Sequence, residues 1–377
     1  GGMQACGLTN GAVKCWGFGR PGQLGDGLAA NSGSDVVTAI AAANALGVSA
    51  GKDFSCAIIN DATAKCWGEG TGGQIGNAGG VDATTPAAAT QIASITGVGG
   101  GSAHNCLVVD GGIKCWGVTG AGAIGDSTAI NRNVPTQTTG LTSGAQAVAA
   151  GNEFSCGLLN GAVKCWGLGL SGQMGNSFSS SSAAPTAVTN LTSGAYGIAV
   201  GDSTACAISG SGVQCWGVGS SGQFGNRALT ASSNVPVSML SANSTVYASP
   251  GVLSLSAGGS HTCVAAGGAA QCWGANSYGQ LGNASTTSVA YPVPAATATV
   301  GVQSISAGLS HTCAIVNGGA KCWGLGTSGQ LGNAAITSSS TVVAVSNLTS
   351  GVSQISAGGY HTCEINDGKL ACFGENN

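Results

Sequence analysis

GLSHTCAIVNGGAKCWGLGTSGQLG, residues 308 to 332, recurs in eight versions along the chain, and the rest of the sequence connects one copy to the next. Its centre is Asn317-Gly318, the dipeptide that best fits a two-residue type I′ hairpin turn. Counting outward from that turn pairs Val316 with Gly319 and sets Cys313 directly opposite Cys322. Pairs in such a hairpin alternate between hydrogen-bonded and non-hydrogen-bonded, starting hydrogen-bonded next to the turn. The cysteines therefore fall on a non-hydrogen-bonded pair, where side chains lie closest and the geometry suits a disulfide.

The same count pairs Cys6 with Cys15, Cys106 with Cys115, Cys156 with Cys165 and Cys363 with Cys372, each around Asn-Gly or Asp-Gly. It pairs Cys206 with Cys215 around Gly210-Ser211 and Cys263 with Cys272 around Gly267-Gly268. Cys56 and Cys66 are one residue further apart, as a three-residue turn or a bulge requires. All 16 cysteines are then used. Zinc would need tight Cys-x-x-Cys ligand pairs, and the sequence has none. Each hairpin disulfide closes a short loop and adds about 2–3 kcal/mol in the chain-entropy model.

The first cysteines stand at 6, 56, 106, 156, 206, 263, 313 and 363, a fifty-residue period broken once by seven extra residues, which the reading places near Ser241 to Pro250. A period of this size means stacked or circularly arranged units and overrides a length-based division of 377 residues into several domains. Each unit reads as four strands. A short alternating segment comes first, such as Val302 to Ala307 or Val352 to Ala357. The cysteine hairpin follows, ending at Trp-Gly (Phe373-Gly374 in the last copy). After a GQLG-like turn and a polar loop comes a proline-led fourth strand, as in Pro185 to Leu191. Four strands per repeat, Gly-rich turns and no helical periodicity describe a propeller blade. The expected fold is one all-β propeller domain over residues 1–377, with hairpins centred near 10, 61, 110, 160, 210, 267, 317 and 367.

Strand counting gives an expectation about closure. The first copy lacks a leading strand and the last lacks a trailing one, so eight hairpins and seven linkers make thirty strands. About seven four-stranded blades use all but one hairpin; residues 3 to 17 are the natural surplus, to complete an eighth blade, close the ring unconventionally or pair with another subunit.

Composition excludes several functions. Charged residues are 6% of the chain and the net charge is -3, with no basic patch to hold a phosphate backbone, so nucleic acid is not expected as a partner. No apolar run approaches the length of a membrane-spanning helix. Paired cysteines in this number point to an oxidising compartment, extracellular or at the cell surface. Gly1-Gly2 aligns inside the repeat with Gly258-Gly259, so the chain reads as processed or as a portion of a longer one.

The run AG-x-x-His-Thr-Cys, then Asn-Gly-Gly-x-x-x-Cys-Trp-Gly, Gly-Gln-Leu-Gly-Asn and LTSG, resembles the regulator-of-chromosome-condensation type of propeller repeat. It is most similar to a bacterial secreted branch whose hairpins carry cysteines. The resemblance spans the chain and implies the fold. For function it implies several roles, because propellers of this family serve as exchange factors, inhibitors and binding scaffolds.

Candidate chemical motifs read as structural. The G-x-G-x-x-G of Gly167, Gly169 and Gly172 lacks the following helix that a dinucleotide site needs. His104, His261, His311 and His361 share one repeat position with Phe54, Phe154, Gln4 and Thr204, which suits packing better than catalysis. No serine stands in a nucleophile elbow and no acidic pair suits acid-base work. Lys14, Lys65, Lys114, Lys164 and Lys321 precede the second cysteine, on a solvated face or a weak anionic-ligand or partner surface. The tryptophans at the hairpin ends read as blade-to-blade packing, and Gln23, Gln74, Gln173, Gln223, Gln280 and Gln330 as binding backbone within their turns. Asn190, Asn243, Asn283 and Asn347 begin N-x-S/T sequons, candidate glycosylation sites in a chain where several arise by chance.

No catalytic residue, cofactor or metal is expected. The leading functional expectation is a non-catalytic extracellular or cell-surface protein acting structurally through protein contacts, with itself as partner in a filament or surface layer. The alternative is a monomeric secreted binder of the kind represented by propeller inhibitors of beta-lactamase. Its loops would be marked by the non-repeated Tyr247, Tyr278, Tyr291 and Phe178.

Overall fold

The computed structural model describes residues 4–29, 37–41, 45–60, 63–90, 92, 94–240 and 251–375. Thirty strands form eight antiparallel sheets, and no helix occurs among the described residues. The first sheet is β1 (Gln4–Thr9), β2 (Ala12–Gly17) and β3 (Val37–Ile40). The second is β4 (Ala45–Ala50), β5 (Phe54–Ile59), β6 (Ala64–Gly68) and β7 (Ala83–Ala88). The next four sheets repeat that four-stranded order across residues 95–137, 145–187, 195–238 and 252–294. The seventh is β24 (Val302–Ala307), β25 (His311–Val316), β26 (Gly319–Gly324) and β27 (Ser339–Ala344). The eighth is β28 (Val352–Ala357), β29 (His361–Asn366) and β30 (Lys369–Gly374).

The fold is thus an all-β propeller of eight blades, which corrects the expectation of about seven with a surplus hairpin. The thirty strands divide as six sheets of four and two of three. Residues 3 to 17 are no surplus, because β2 pairs with β3 through Lys14↔Thr38 and Cys15↔Val37 and makes a blade of its own. The chain divides into two compact units. The first holds the first four sheets, in residues up to 170 and 178–188; the second holds the last four, in residues 171–177 and 189–375.

Within each blade the turn chemistry sets the register. Asn317 (φ 52°) and Gly318 (φ 76°) both adopt the left-handed conformation of a type I′ turn, and the ladder runs Val316↔Gly319 to Cys313↔Cys322. Gly210-Ser211 reaches the same register differently, with the positive φ at Gly212. All sixteen cysteines are joined in eight disulfides, one per blade, with Cα separations of 4.1 to 4.2 Å, the close approach of a non-hydrogen-bonded pair. At Cys56–Cys66 the register holds as Cys56↔Cys66 and Ile58↔Ala64, while residues 61–62 of its turn lie outside the described residues. So does the insertion placed near Ser241 to Pro250.

The Trp-Gly step is a bulge. Lys321↔Ala344 and Cys322↔Val343 are followed by Gly324↔Ser339, so the fourth strand gains residues opposite Trp323. Gly324 sits at φ 102°, and a Cβ there would meet His311 Cα at 2.8 Å, so only glycine fits. The fourth strands begin earlier than a leading proline predicts: Ser182–Ala187 carries Pro185 inside it, tolerated because the strand lies at the sheet edge.

The core lies between consecutive blades. Trp67 packs against Cys15, Val13 and Leu24 of the first sheet, Trp116 against Cys56 and Cys66, and Trp323 against Cys263 and Cys272. In these joints the disulfide faces forward onto the next blade's indole, and Cys313–Cys322 faces Phe373. Full burial of such an aromatic side chain stabilises by about 2–3 kcal/mol.

Candidate interaction surface

The most regular polar site is the joint between blades. Its acceptor is the carbonyl of the turn glutamine, and its donors come from the following blade. Trp67 Nε1 and Ser55 Oγ donate to Gln23 O at 2.9 and 3.2 Å, and Trp323 Nε1 and Thr312 Oγ1 donate to Gln280 O at 2.8 and 2.9 Å. In the third blade Ala123 replaces the glutamine, yet its carbonyl still receives Trp166 and Ser155. The glutamine side chain closes the turn itself, with Oε1 accepting the N–H two residues earlier at Gly72, Ser171, Ser221, Tyr278 and Ser328. Gln23 is the exception, because the residue two before it is Pro21, which has no N–H, and both its amide atoms are buried without a partner.

The histidines belong to the same joint. His261 Nε2 lies 2.8 Å from Thr312 Oγ1, His311 Nε2 2.8 Å from Thr362 Oγ1, and His104 Nε2 2.7 Å from Ser155 Oγ. Each hydroxyl spends its proton on a carbonyl, so the imidazole must donate from Nε2, which leaves Nδ1 bare. Burial holds the rings neutral, lowering His104 and His311 to about 4 and His261 and His361 to about 3. Neutral, buried and hydrogen-bonded to hydroxyls that are themselves engaged, His104, His261 and His311 fasten blades together. Phe54 and Phe154, each 1% exposed, fill the same position by packing alone.

The other singled-out residues are dispersed. Six tryptophans are 0–1% exposed, which removes them as a ligand platform; Trp16 is half-buried. The five lysines are half-buried along the third strands. Asn190 and Asn347 are exposed, whereas Asn283 is half-buried with Oδ1 accepting from Asn276 Nδ2 at 3.2 Å. Asn243 and Tyr247 lie outside the described residues. Tyr278 and Phe178 are exposed, and Tyr291 lies under the Arg227 guanidinium at 5.0 Å.

Sequence reasoning missed the residues that differ between repeats. Arg20, Pro21, Asp53, Glu69, Thr71 and Asp82 line a cleft of 310 Å³ within the first unit. Asp82 Oδ1 also accepts the Gly70 N–H at 3.0 Å, a task that Ser181 and Ser338 perform for Gly169 and Gly326. Glu364 is missed as well: it stands where β25 has Ala314, is 2% exposed, and has Oε2 without a partner. The available signal was departure from the repeat, since acidic residues replace small or apolar ones at both places.

In sequence, residues 268–315 and 317–365 match the Regulator of chromosome condensation (RCC1) repeat, and residues 302–330 match a second profile of it. Comparison with curated proteins gives no match. Among solved structures, human WBSCR16 is similar with a TM-score of 0.77 at 21% identity, over 94% of this chain and 99% of that one. Prp20p from Saccharomyces cerevisiae gives 0.74 at 17% identity, over 99% and 92%. The ectodomain of the Physcomitrella patens receptor kinase CR4 gives 0.53 at 18%, over 88% and 74%. At these identities the likeness is one of fold.

Proposed function

We propose, from the premise that the chain is built of RCC1-type propeller repeats, that it is a non-catalytic binding propeller of an extracellular or cell-surface setting that acts through protein contacts. The observation that carries this reading is the pairing of all sixteen cysteines, at sites turned into the blade joints. Such a set persists only where thiols are not kept reduced. Of the side chains that catalysis would recruit first, His104, His261 and His311 are committed to the joints. Prp20p is described by its binding to Gsp1p and histones, and CR4 presents its likeness as an ectodomain, which supports a propeller used for contacts. The secreted, cysteine-bearing branch of the family fits the disulfides best. Residues 1–377 act here as a single propeller domain, and Asn190 and Asn347 are its accessible sequons.

Self-association into a filament or surface layer is the homotypic form of this reading. It is supported by β1 and β30, which lie at the edges of three-stranded sheets and offer ladder groups to another strand. Negative-stain microscopy of natively isolated, non-reduced protein separates the two forms. Filaments or sheets with a propeller-sized repeat establish the structural subunit. Dispersed particles leave the monomeric binder or inhibitor, and loss of all disulfides in the native material removes the extracellular reading.

A further inference from the structure

Every blade of the first unit carries a large apolar side chain on the loop that leads from its cysteine hairpin to its last strand. These are Leu28, Val81, Ile130 and Phe178, each 60–66% exposed. Single exposed aliphatic residues are ordinary, but the same loop in four consecutive blades is not scatter. The loops are also held in place. Gly27 N, Ala78 N and Ser127 N each donate to the following blade, at Thr84 O, Asn133 O and Ala183 O, all at 2.8 Å. Their apolar residues are therefore presented at fixed blade spacing and do not fold back onto their own sheets.

Charge on the same end of the sheets is one-sided. The loops between first and second strands lie at this end too, as Phe54↔Gly68 and the Glu69 N–Asp53 O bond of 2.9 Å show. Among the described residues, the two loop sets carry Asp26, Asp53, Glu69, Asp82 and Glu153 against Arg20 and Lys52, while Asp126 and Arg132 neutralise each other. Five minus two leaves three negative charges, as many as the whole chain's net -3. The other lysines of this unit, Lys14, Lys65, Lys114 and Lys164, lie within the sheets instead. The cleft adds shape, with three carboxylates set against one guanidinium.

We propose that this end of the first unit is a docking face for a cationic polypeptide segment with flanking aliphatic residues. A lysine or arginine enters the cleft between Asp53, Glu69 and Asp82, and aliphatic side chains meet Leu28, Val81, Ile130 and Phe178. The inference rests on the reading of the chain as a protein-binding propeller and supplies the chemistry of its partner. The same field repels a phosphate backbone. It steers a basic segment in, with an affinity that falls as salt rises.

The test uses the full chain with disulfides intact and three fluorescent peptides, built on repeated Lys-Leu-Leu-Lys, Glu-Leu-Leu-Glu and Lys-Ser-Ser-Lys, followed by anisotropy. The first binds best, the second does not bind, and the third binds weakly. Neutralising the cleft acids, with Asp53→Ser and Asp82→Ser installing residues found in other blades and Glu69→Gln keeping the side chain's size, weakens the first peptide by about tenfold or more. Leu28→Ser, Val81→Ser, Ile130→Ser and Phe178→Ser together do the same. Leu229→Ser with Ile336→Ser, on the corresponding loops of the second unit, leaves it within about twofold. Equal binding of the acidic peptide, or indifference to the cleft variants, overturns the proposal. If no peptide binds but the chain captures a protein from the medium in which it occurs, this face is wrong and the binding reading stands. If it captures none, both fall.

Discussion

The seventh and eighth blades share a hairpin and differ in almost everything around it. In both, the cysteines are paired with Cα atoms 4.1 Å apart, around Asn317-Gly318 in one and Asp367-Gly368 in the other. Yet Cys313 and Cys322 are 0% exposed, while Cys363 and Cys372 are half-buried. Trp323 is sealed and donates to Gln280 O; Phe373 is half-buried and has no N–H to donate. Ala314 and Val316 on β25 become Glu364 and Asn366 on β29, and both substituted side chains carry an oxygen without a partner. The hairpin is thus made by its own residues, whereas its burial is made by the sheet that follows. Local chemistry fixes the blade, and neighbours decide how much the blade is worth.

Exchanging residues between the two blades is the most direct way to break the comparison. Trp323→Ala removes a sealed indole and leaves the Gln280 carbonyl with Thr312 Oγ1 as its donor; it lowers stability by about 3–5 kcal/mol in denaturant unfolding with disulfides intact. Phe373→Ala costs less than half of that. Equal losses would mean that the eighth blade is as well packed as the seventh.

Next in size is the pH response. Burial raises Glu364 from its ordinary 4.5 to about 7. Native protein therefore holds a proton that the unfolded chain releases between pH 4.5 and 7, and stability falls as pH rises through that window, by on the order of 2 kcal/mol. Glu364→Ala, the seventh-blade residue, abolishes this slope. The histidines work on the other side. Their folded values near 3 to 4 lie below the ordinary 6.5, so stability falls as pH drops from 6.5 toward 4. His311→Phe, the residue type of the second and fourth blades, reduces that acid limb when melting is followed across pH.

Reduction supplies a kinetic contrast. Under limiting reductant, alkylation and mass spectrometry find Cys363 and Cys372 modified before Cys313 and Cys322, because reductant must reach the sulfur. Simultaneous modification would show that the seventh blade opens as readily as the eighth. The smallest effect is expected of Lys321→Ala, which installs the residue found at Ala371. A half-buried strand lysine in a solvated position changes stability by less than about 0.5 kcal/mol.

What repeats was legible in the sequence, and what differs was not. Asn317-Gly318 announces its own turn, so the disulfide register of Cys313 and Cys322 follows from counting, and fifty-residue recurrence multiplies that inference eightfold. Strand counting undercounts the blades because it makes four strands the unit, although three pair well enough when the hairpin carries its own disulfide, as β28 to β30 show. The partners of His261 and Trp323 lie about one repeat away, at Thr312 and Gln280, in contacts that no local pattern encodes. Arg20, Asp53, Glu69 and Asp82 were passed over for a related reason. They come from three loops, Glu69 and Asp82 at the two ends of one, and only folding brings them around one cleft.

The double-donor joint also governs how such a chain can grow. Its acceptor and indole donor stand 43 residues apart at Trp166, Trp216 and Trp323, close to one repeat. Duplicating a fifty-residue stretch, wherever the cut falls, therefore delivers a matching half for every half it displaces, and the number of blades can change without designing a new contact. At Trp273 the separation is 50, so seven further residues have entered the connection while the bond to Gln223 O persists at 2.6 Å. Length varies where the chain loops between joints, and descent by copying has a structural reason to leave the joints alone.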